Sequence, residues 1–175
     1  MKAKIALERA EKVAEELKRL LEPACERITI AGSIRRRKPE VGDIELLVIP
    51  RYVAGVDQLD REIGLLFVQR ILGFRLNKKG SKVYGPKNKL LLHQESGIGV
   101  DIFSTDEECW PVSLVVRTGG ETTNKRIAMA AIRKGWHLKA YGSGFSTPDG
   151  DVVCRSERDV FELVGLPYQR PEERG

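Results

Sequence analysis

The sequence predicts an α+β chain in which helices cover one face of a mixed sheet and a small α/β subdomain follows. Three observations predict it. Residues 3–21 and 56–72 carry apolar side chains at three- and four-residue steps, the spacing of amphipathic helices. Short apolar runs near 27–31, 43–49, 81–84, 89–93 and 100–103 have the length of strands. After TDEECWP, residues 105–111, the texture turns to a Gly-Gly pair, a helical stretch and a Gly/Ser/Pro/Asp-rich segment. A boundary near residue 107 follows, giving units 1–107 and 108–175.

In the first helix, Ala6, Ala10, Val13, Leu17, Leu20 and Leu21 form an apolar stripe among Glu, Lys and Arg. Pro23 ends it, because proline cannot continue the hydrogen-bond ladder. A strand at Arg27–Ala31 leads into the basic run Arg35 to Lys38, and a second strand spans Asp43–Ile49. The helix over 56–72 precedes strands at Ser81–Tyr84, Lys89–His93 and Val100–Phe103. The second unit holds a helix at Thr122–Lys134, a hairpin over 142–151 and a short helix at Glu157–Leu163. Trp110 and Trp136 are expected in the cores.

Composition narrows the class. The chain has 175 residues, 41% hydrophobic and 31% charged, enough apolar content for a core and enough charge for solubility. A net charge of +5 allows a polyanionic partner. Cys25, Cys109 and Cys154 lack the C-x-x-C spacing of a zinc site and are odd in number, so neither a disulfide framework nor zinc is indicated. His93 and His137 are read as ordinary surface or half-buried histidines. With no apolar run of membrane-spanning length and a charged N-terminus, the chain is expected to be intracellular, not secreted and without a membrane partner.

The stretch AGSIRRRKPEVGDIELLVIP, residues 31–50, sets four basic residues just ahead of two carboxylates. Alternate side chains of a strand share a face, with Cα atoms about 6.5–7 Å apart, so Asp43 and Glu45 project together. Two adjacent carboxylates repel unless a cation sits between them, and hard oxygen ligands suit Mg²⁺. Asp101 lies in a second apolar strand, GVDIF, where an unpaired acid is costly. Three such acids in one sheet can hold two metal ions about 4 Å apart, the arrangement of phosphoryl transfer. Gly32, Ser33 and Arg36 supply the backbone N–H groups, hydroxyl and fork that cradle phosphates. Taken singly, a D-x-E can be an exposed strand edge, an RRRK run a solvated loop and Gly-Ser a plain turn. The ordered combination is what points to a metal–triphosphate site.

Gly32-Ser33-x-Arg35-Arg36 followed by Gly42-Asp43-Ile44-Glu45 resembles the signature of the DNA polymerase beta-like nucleotidyltransferase superfamily. VDIF resembles the third catalytic-acid strand, RTGGETTNKRIAMAAIRKGWHLKAYG the nucleotide-binding turn and thumb helix, and SERDVFELVGLPYQRPEER the ending of the family X DNA polymerases. The resemblance implies a palm at 1–107 and a thumb at 108–175. It implies that Asp43, Glu45 and Asp101 bind two Mg²⁺ ions, with Mn²⁺ as a substitute. Ser33, Arg36, Gly32 and Gly42 would hold the triphosphate, Gly119 and Gly120 the turn beneath the sugar, and Asn124 the base-pair edge. The implied activity is addition of nucleotides to a primer 3′-OH on primer-template or gapped DNA, by a monomer engaged in repair. The alternatives are a template-independent terminal or RNA-tailing transferase, and a weakly catalytic nucleic-acid-binding module or a transferase modifying protein or tRNA.

Several positions depart from the resemblance. Glu45 stands where these polymerases usually carry Asp, Val116 and Arg117 where an aromatic pair screens the sugar, Ala128 where an Arg meets the templating base, and Gly99 where an Arg precedes the third acid. The N-terminus leaves no room for lyase or fingers-like domains, and the starting Met with a whole first helix suggests a naturally short chain. Grip on DNA then falls to the palm and thumb themselves. Residues 117–140 carry Arg117, Lys125, Arg126, Arg133, Lys134 and Lys139 against one acid, Glu121, as a phosphate-tracking surface requires.

Overall fold

The computed structural model of the chain describes residues 4–175. Helix α1 (Leu7–Leu21) buries Ala10, Ala14, Leu17 and Leu21, the stripe its periodicity announces. It begins later than the expected residue 3, because Ile5 and Ala6 form strand β1 (Ile5–Ala6); residue 3 itself lies outside the described residues. A 3-10 turn at Glu22–Ala24, with Pro23 in it, separates α1 from β2 (Cys25–Ile30). A four-residue helix, α2 (Gly32–Arg35), leads to β3 (Glu40–Val41), which pairs with β1, and to β4 (Asp43–Pro50).

The hairpin β5 (Tyr52–Val53) and β6 (Val56–Asp57) takes the first residues expected of the helix over 56–72. Helix α3 (Gln58–Val68) starts after Asp57, whose carboxylate accepts a 2.8 Å hydrogen bond from the Leu59 N–H as its cap. It stops at Val68 and the chain turns through Arg70 at φ 58°, so Leu72 belongs to strand β7 (Leu72–Phe74). The strand expected at Ser81–Tyr84 is absent; only the isolated bridges Leu76–Lys82 and Tyr84–Lys89 form there. Its Lys- and Gly-rich surroundings leave few apolar side chains to bury, and Leu72–Phe74 provides the sheet edge instead.

Strands β8 (Asn88–His93) and β9 (Gly99–Ser104) complete a five-stranded sheet in the order β2-β4-β9-β8-β7. β4 and β9 are parallel and the other neighbours antiparallel, the expected mixed sheet. The first core joins α1 and α3 to this sheet through residues such as Leu17, Ile44, Leu46, Ile63 and Val100.

Beyond the sheet lies α4 (Trp110–Thr118), a helix the sequence reading left out. Pro111 in its first turn and buried Trp110, Val112, Val115 and Thr118 are the signals for it. α5 (Glu121–Arg133) follows, then a small sheet of β10 (His137–Leu138), β11 (Gly144–Thr147) and β12 (Gly150–Val153), and finally α6 (Glu157–Glu162). These elements share a second core built on Val112, Ile127, Phe145 and Phe161. A third cluster, Leu47, Ile49, Phe103 and Trp110, joins α4 to the large sheet. Trp110 is buried and Trp136 is half-buried against Phe145, with ring centres 5.9 Å apart. No helix among the described residues is long and apolar enough to cross a membrane.

Candidate active site

The register of β4 on β9 decides where the acids go. Glu45 pairs with Asp101 and Asp43 with Gly99, so the parallel ladder puts all three carboxylates on one face at one end of the sheet. Burial first, then the charge of Asp101, raises the Glu45 carboxyl to about 7; Asp43 adds to the rise while Arg36 and Arg117 oppose it. The charges are thus close enough to feel one another.

Two of the acids share a cation that no motif announced. Arg75, one residue past β7, donates from Nη1 to Asp43 Oδ1 at 2.9 Å and from Nη2 to Asp101 Oδ1. Its guanidinium lies across Gly99. A methyl group on Gly99 would stand 2.8 Å from Arg75 Cζ and 2.5 Å from Asp43 Oδ1. Gly99, the departure noted in the sequence, is therefore the seat of an arginine delivered from another strand. Among the described residues, no three His, Cys, Asp or Glu side chains are gathered as they would be around an ion. The hard oxygens of Asp43, Glu45 and Asp101 nonetheless form the donor set that Mg²⁺ prefers, and the guanidinium marks a seat built for positive charge.

On the other side of β4, Gly32 turns at φ 61° with its backbone against the Glu45 side chain. The Ala31 N–H donates to the Glu45 carbonyl at 2.8 Å, which fixes the turn on the strand. Ser33, Gly42, Asp43 and Glu45 then border one wall of a cavity of about 760 Å³, the size of a small-molecule site. Arg36 also lines it, donating to the Thr118 carbonyl just before Gly119, which turns at φ 71°. Arg36 Nε is buried without a hydrogen-bond partner, an unused donor. Burial pulls the Arg36 pKa down, against the pull of Glu45.

Arg35 does different work. Its Nη1 reaches Thr118 Oγ1 at 2.7 Å and its fork grips Glu157 at 2.6 and 2.9 Å. Arg174, fully buried, holds the same carboxylate at 2.9 Å. One glutamate of the second unit thereby ties α2 to the last residues, and Arg35 adds Thr118 at the end of α4.

The opposite wall comes from α4 and α5. Val116, Arg117, Gly119, Gly120, Asn124, Lys125 and Ala128 border the cavity. Asn124 donates to the Val116 carbonyl at 2.9 Å, and its Oδ1 is buried with no partner. The Arg117 guanidinium stacks on Phe103, 3.7 Å from the ring centre, with Tyr141 at 5.4 Å. Of the sequence-predicted nucleotide-site residues, Ser33, Arg36, Gly42, Gly119, Gly120 and Asn124 border this cavity, and Gly32 lies against the Glu45 side chain.

The cations Lys125, Arg126 and Arg133 of α5 and Lys134 just past its end do not gather in the same way. Lys125 borders the cavity and pairs with Glu121 at 2.5 Å, whereas Lys134 donates to the Leu163 carbonyl at 2.7 Å and covers the Trp136 ring. Arg126 and Arg133, seven residues apart on the helix and both exposed, share one face.

Residues 113–175 match the family profile of the DNA polymerase beta thumb. Over nearly the whole chain, the structure superposes on Leishmania infantum polymerase beta in a ternary P/T complex, with a TM-score of 0.74, 24% identity, and coverage of 99% of this chain and 77% of that one. This is a polymerase beta-like fold. A second structure of the same protein, a ternary gap complex, agrees with a TM-score of 0.76 at 22% identity, covering 98% of this chain and 71% of that one. In polymerase beta-like terms, the matched thumb begins within α4, and the cavity lies where the acid-bearing sheet meets it.

Proposed function

We propose that this chain is a nucleotidyltransferase, a DNA polymerase of family X type that adds nucleotides to a primer 3′-OH in gap filling or short extension. In this reading residues 1–107 are the palm and 108–175 the thumb. The convergence of Asp43, Glu45 and Asp101 on one sheet face, beside a cavity walled by Arg36 and the Gly119–Gly120 turn, is the observation that carries it.

Asp43, Glu45 and Asp101 would hold two Mg²⁺ ions, with Mn²⁺ as a substitute; bound there, the ions acidify the 3′-OH and neutralise charge on the phosphates. The residues themselves position the reaction. Ser33, Arg36 and the Gly32 and Gly42 backbone grip the triphosphate, while Gly119, Gly120 and Asn124 border the sugar and base. The 3′-oxygen attacks the α-phosphorus in line, the bond to the bridging oxygen of the β-phosphate breaks, and pyrophosphate leaves. Primer-template or gapped DNA is the partner, with Arg126 and Arg133 on the exposed thumb face meeting phosphates and Lys125 at the cavity rim.

A second reading, template-independent tailing, is favoured by Ala128, which borders the cavity without the bulk to press on a templating base. Primer extension with and without a template strand, using deoxyribo- and ribonucleotides in turn, separates the two. Extension only on templated or gapped DNA supports the polymerase; extension of a single strand supports tailing; tight DNA binding with no extension at all contradicts both.

A further inference from the structure

Arg117 borders the cavity with its donors unused. Its guanidinium lies over Phe103, 3.7 Å from the ring centre, with Tyr141 at 5.4 Å, and among the described residues it takes no hydrogen bond and no ion pair. Stacking occupies a face of a guanidinium and leaves the N–H groups at its edge, five donors with no acceptor, to a ligand. The cavity places it opposite the middle of a nucleotide. Ser33, Arg36 and Gly42 border one end beside Asp43 and Glu45, whereas Asn124, Ala128 and Ile132 line α5 at four-residue steps, about 12 Å of helix, and Leu138 and Ala140 add uncharged surface. A nucleoside triphosphate gripped by its phosphates at the first end, with its base on this apolar stretch, has its sugar in between. Arg117 belongs to that middle: burial and then Asp101 raise the Glu45 carboxyl, and Arg117 is among the charges that pull it back.

We infer that Arg117 is the sugar-recognising residue of this cavity and that it selects ribonucleoside triphosphates, its N–H groups donating to the 2′- and 3′-hydroxyl oxygens. The inference rests on the nucleotidyltransferase reading of the cavity. Ribose and deoxyribose differ at the 2′-hydroxyl, which with the 3′-hydroxyl forms a pair of neighbouring oxygens that the guanidinium fork can take together. This goes further than missing bulk. Without an aromatic screen a ribonucleotide is only tolerated, whereas a donor pair on the diol makes it the better ligand. A deoxyribonucleotide leaves one charged donor without its partner, which costs about 10- to 100-fold in affinity.

The test is equilibrium binding of CTP and dCTP to the whole chain in Mg²⁺ without primer, by isothermal titration calorimetry, repeated with Arg117→Ala and Arg117→Lys. The wild type should bind CTP about 10-fold or more tightly than dCTP. Arg117→Ala should bring that ratio close to one by weakening CTP, and Arg117→Lys, which keeps the charge but loses the fork, should fall between them. Alanine decides because it enlarges the space beside the sugar. If bulk alone governs, Arg117→Ala favours CTP at least as much as the wild type does, and that result overturns the inference. Equal binding of CTP and dCTP by the wild type overturns it as well, and so does an equal loss of both in Arg117→Ala, which would assign the side chain to a phosphate. Should Arg117→Ala fail to fold, a wild-type ratio retained by Arg117→Lys overturns the inference in its place. Arg36→Ala separates the two claims: a wild type that binds both nucleotides equally and loses both in Arg36→Ala sinks the sugar contact alone, whereas a wild type that binds neither sinks the nucleotide reading and the contact with it.

Discussion

Gly32 and Glu45 occupy each other's space: a methyl group built on Gly32 would overlap Glu45 Oε2 and stand 2.7 Å from Cδ. The longer acid at position 45 and the bare backbone at position 32 are therefore one feature. Gly32→Ala should cost at least about 1–2 kcal/mol for the left-handed backbone at φ 61°, and more for the overlap. Chemical denaturation of Gly32→Ala, Glu45→Asp and the double variant checks this. The account expects the shorter acid to recover part of the loss, a coupling that would vanish if the two side chains were independent.

Glu45 also makes stability and metal affinity depend on pH. Its carboxyl titrates near 7 in the fold against 4.5 ordinarily, so the folded chain holds the proton more tightly than the unfolded one. Stability should fall as pH rises from 4.5 to about 7 and then level off, with Glu45→Gln removing that slope. Mn²⁺ affinity should rise through the same upper limit, because the ion binds the carboxylate. Denaturation and titration at several pH values test both, and a pH-independent Mn²⁺ affinity between 6 and 8 would contradict the second.

In the proposed function the sugar would face Val116 and Arg117, which lies on Phe103, and among the described residues no Phe, Tyr or Trp borders the cavity. Weak exclusion of ribonucleotides is the expected outcome. Relative insertion efficiency with dCTP and CTP measures it, and Arg117→Phe should raise discrimination about 10- to 200-fold, the range one apolar contact supplies. Strong rejection of CTP by the wild type would refute this.

Glu157 is gripped by Arg35 of α2 and by buried Arg174. Burial acts to raise its pKa, but the two guanidinium groups outweigh it and hold the carboxyl below 4.5. Its stabilisation is present above that ordinary value and is lost as pH falls through the lowered one. Glu157→Ala should destabilise by about 3–5 kcal/mol, since it strands Arg174 as an unpaired buried charge. It should also raise KM for the nucleotide, because Arg35 loses one of the two partners that fix it beside Thr118. An unchanged acid-unfolding midpoint would count against the clamp.

The strands β4 and β9, the placing of their acids on one face and the turn at Gly32 were legible because each rests on a local pattern: alternation in β4, an apolar run in β9, and a Gly-Ser pair before a basic stretch; the sheet edge was not, since β7 forms at Leu72–Phe74 and no strand at Ser81–Tyr84. The start of α3 was not legible: the periodic stretch over 56–72 reads as one helix, whereas Asp57 caps a helix that begins at Gln58. Arg75 was not legible. Its role arises from a strand order that brings β7, β8 and β9 side by side, and nothing near Arg75 in sequence refers to Asp43 or Gly99. The same holds for Glu157, which meets Arg35 only through the fold. The cations of 125–134 show what a run of charge leaves out: Lys125 borders the cavity, whereas Lys134, just past the end of α5, lies over Trp136.

The most direct test of the whole reading is primer extension on gapped DNA in Mg²⁺, comparing the wild type with Asp101→Asn after circular dichroism has shown both to be folded. The account predicts nucleotide addition by the wild type and none by the variant. Equal extension by the two, or an inactive wild type that still binds DNA and Mn²⁺, would contradict it.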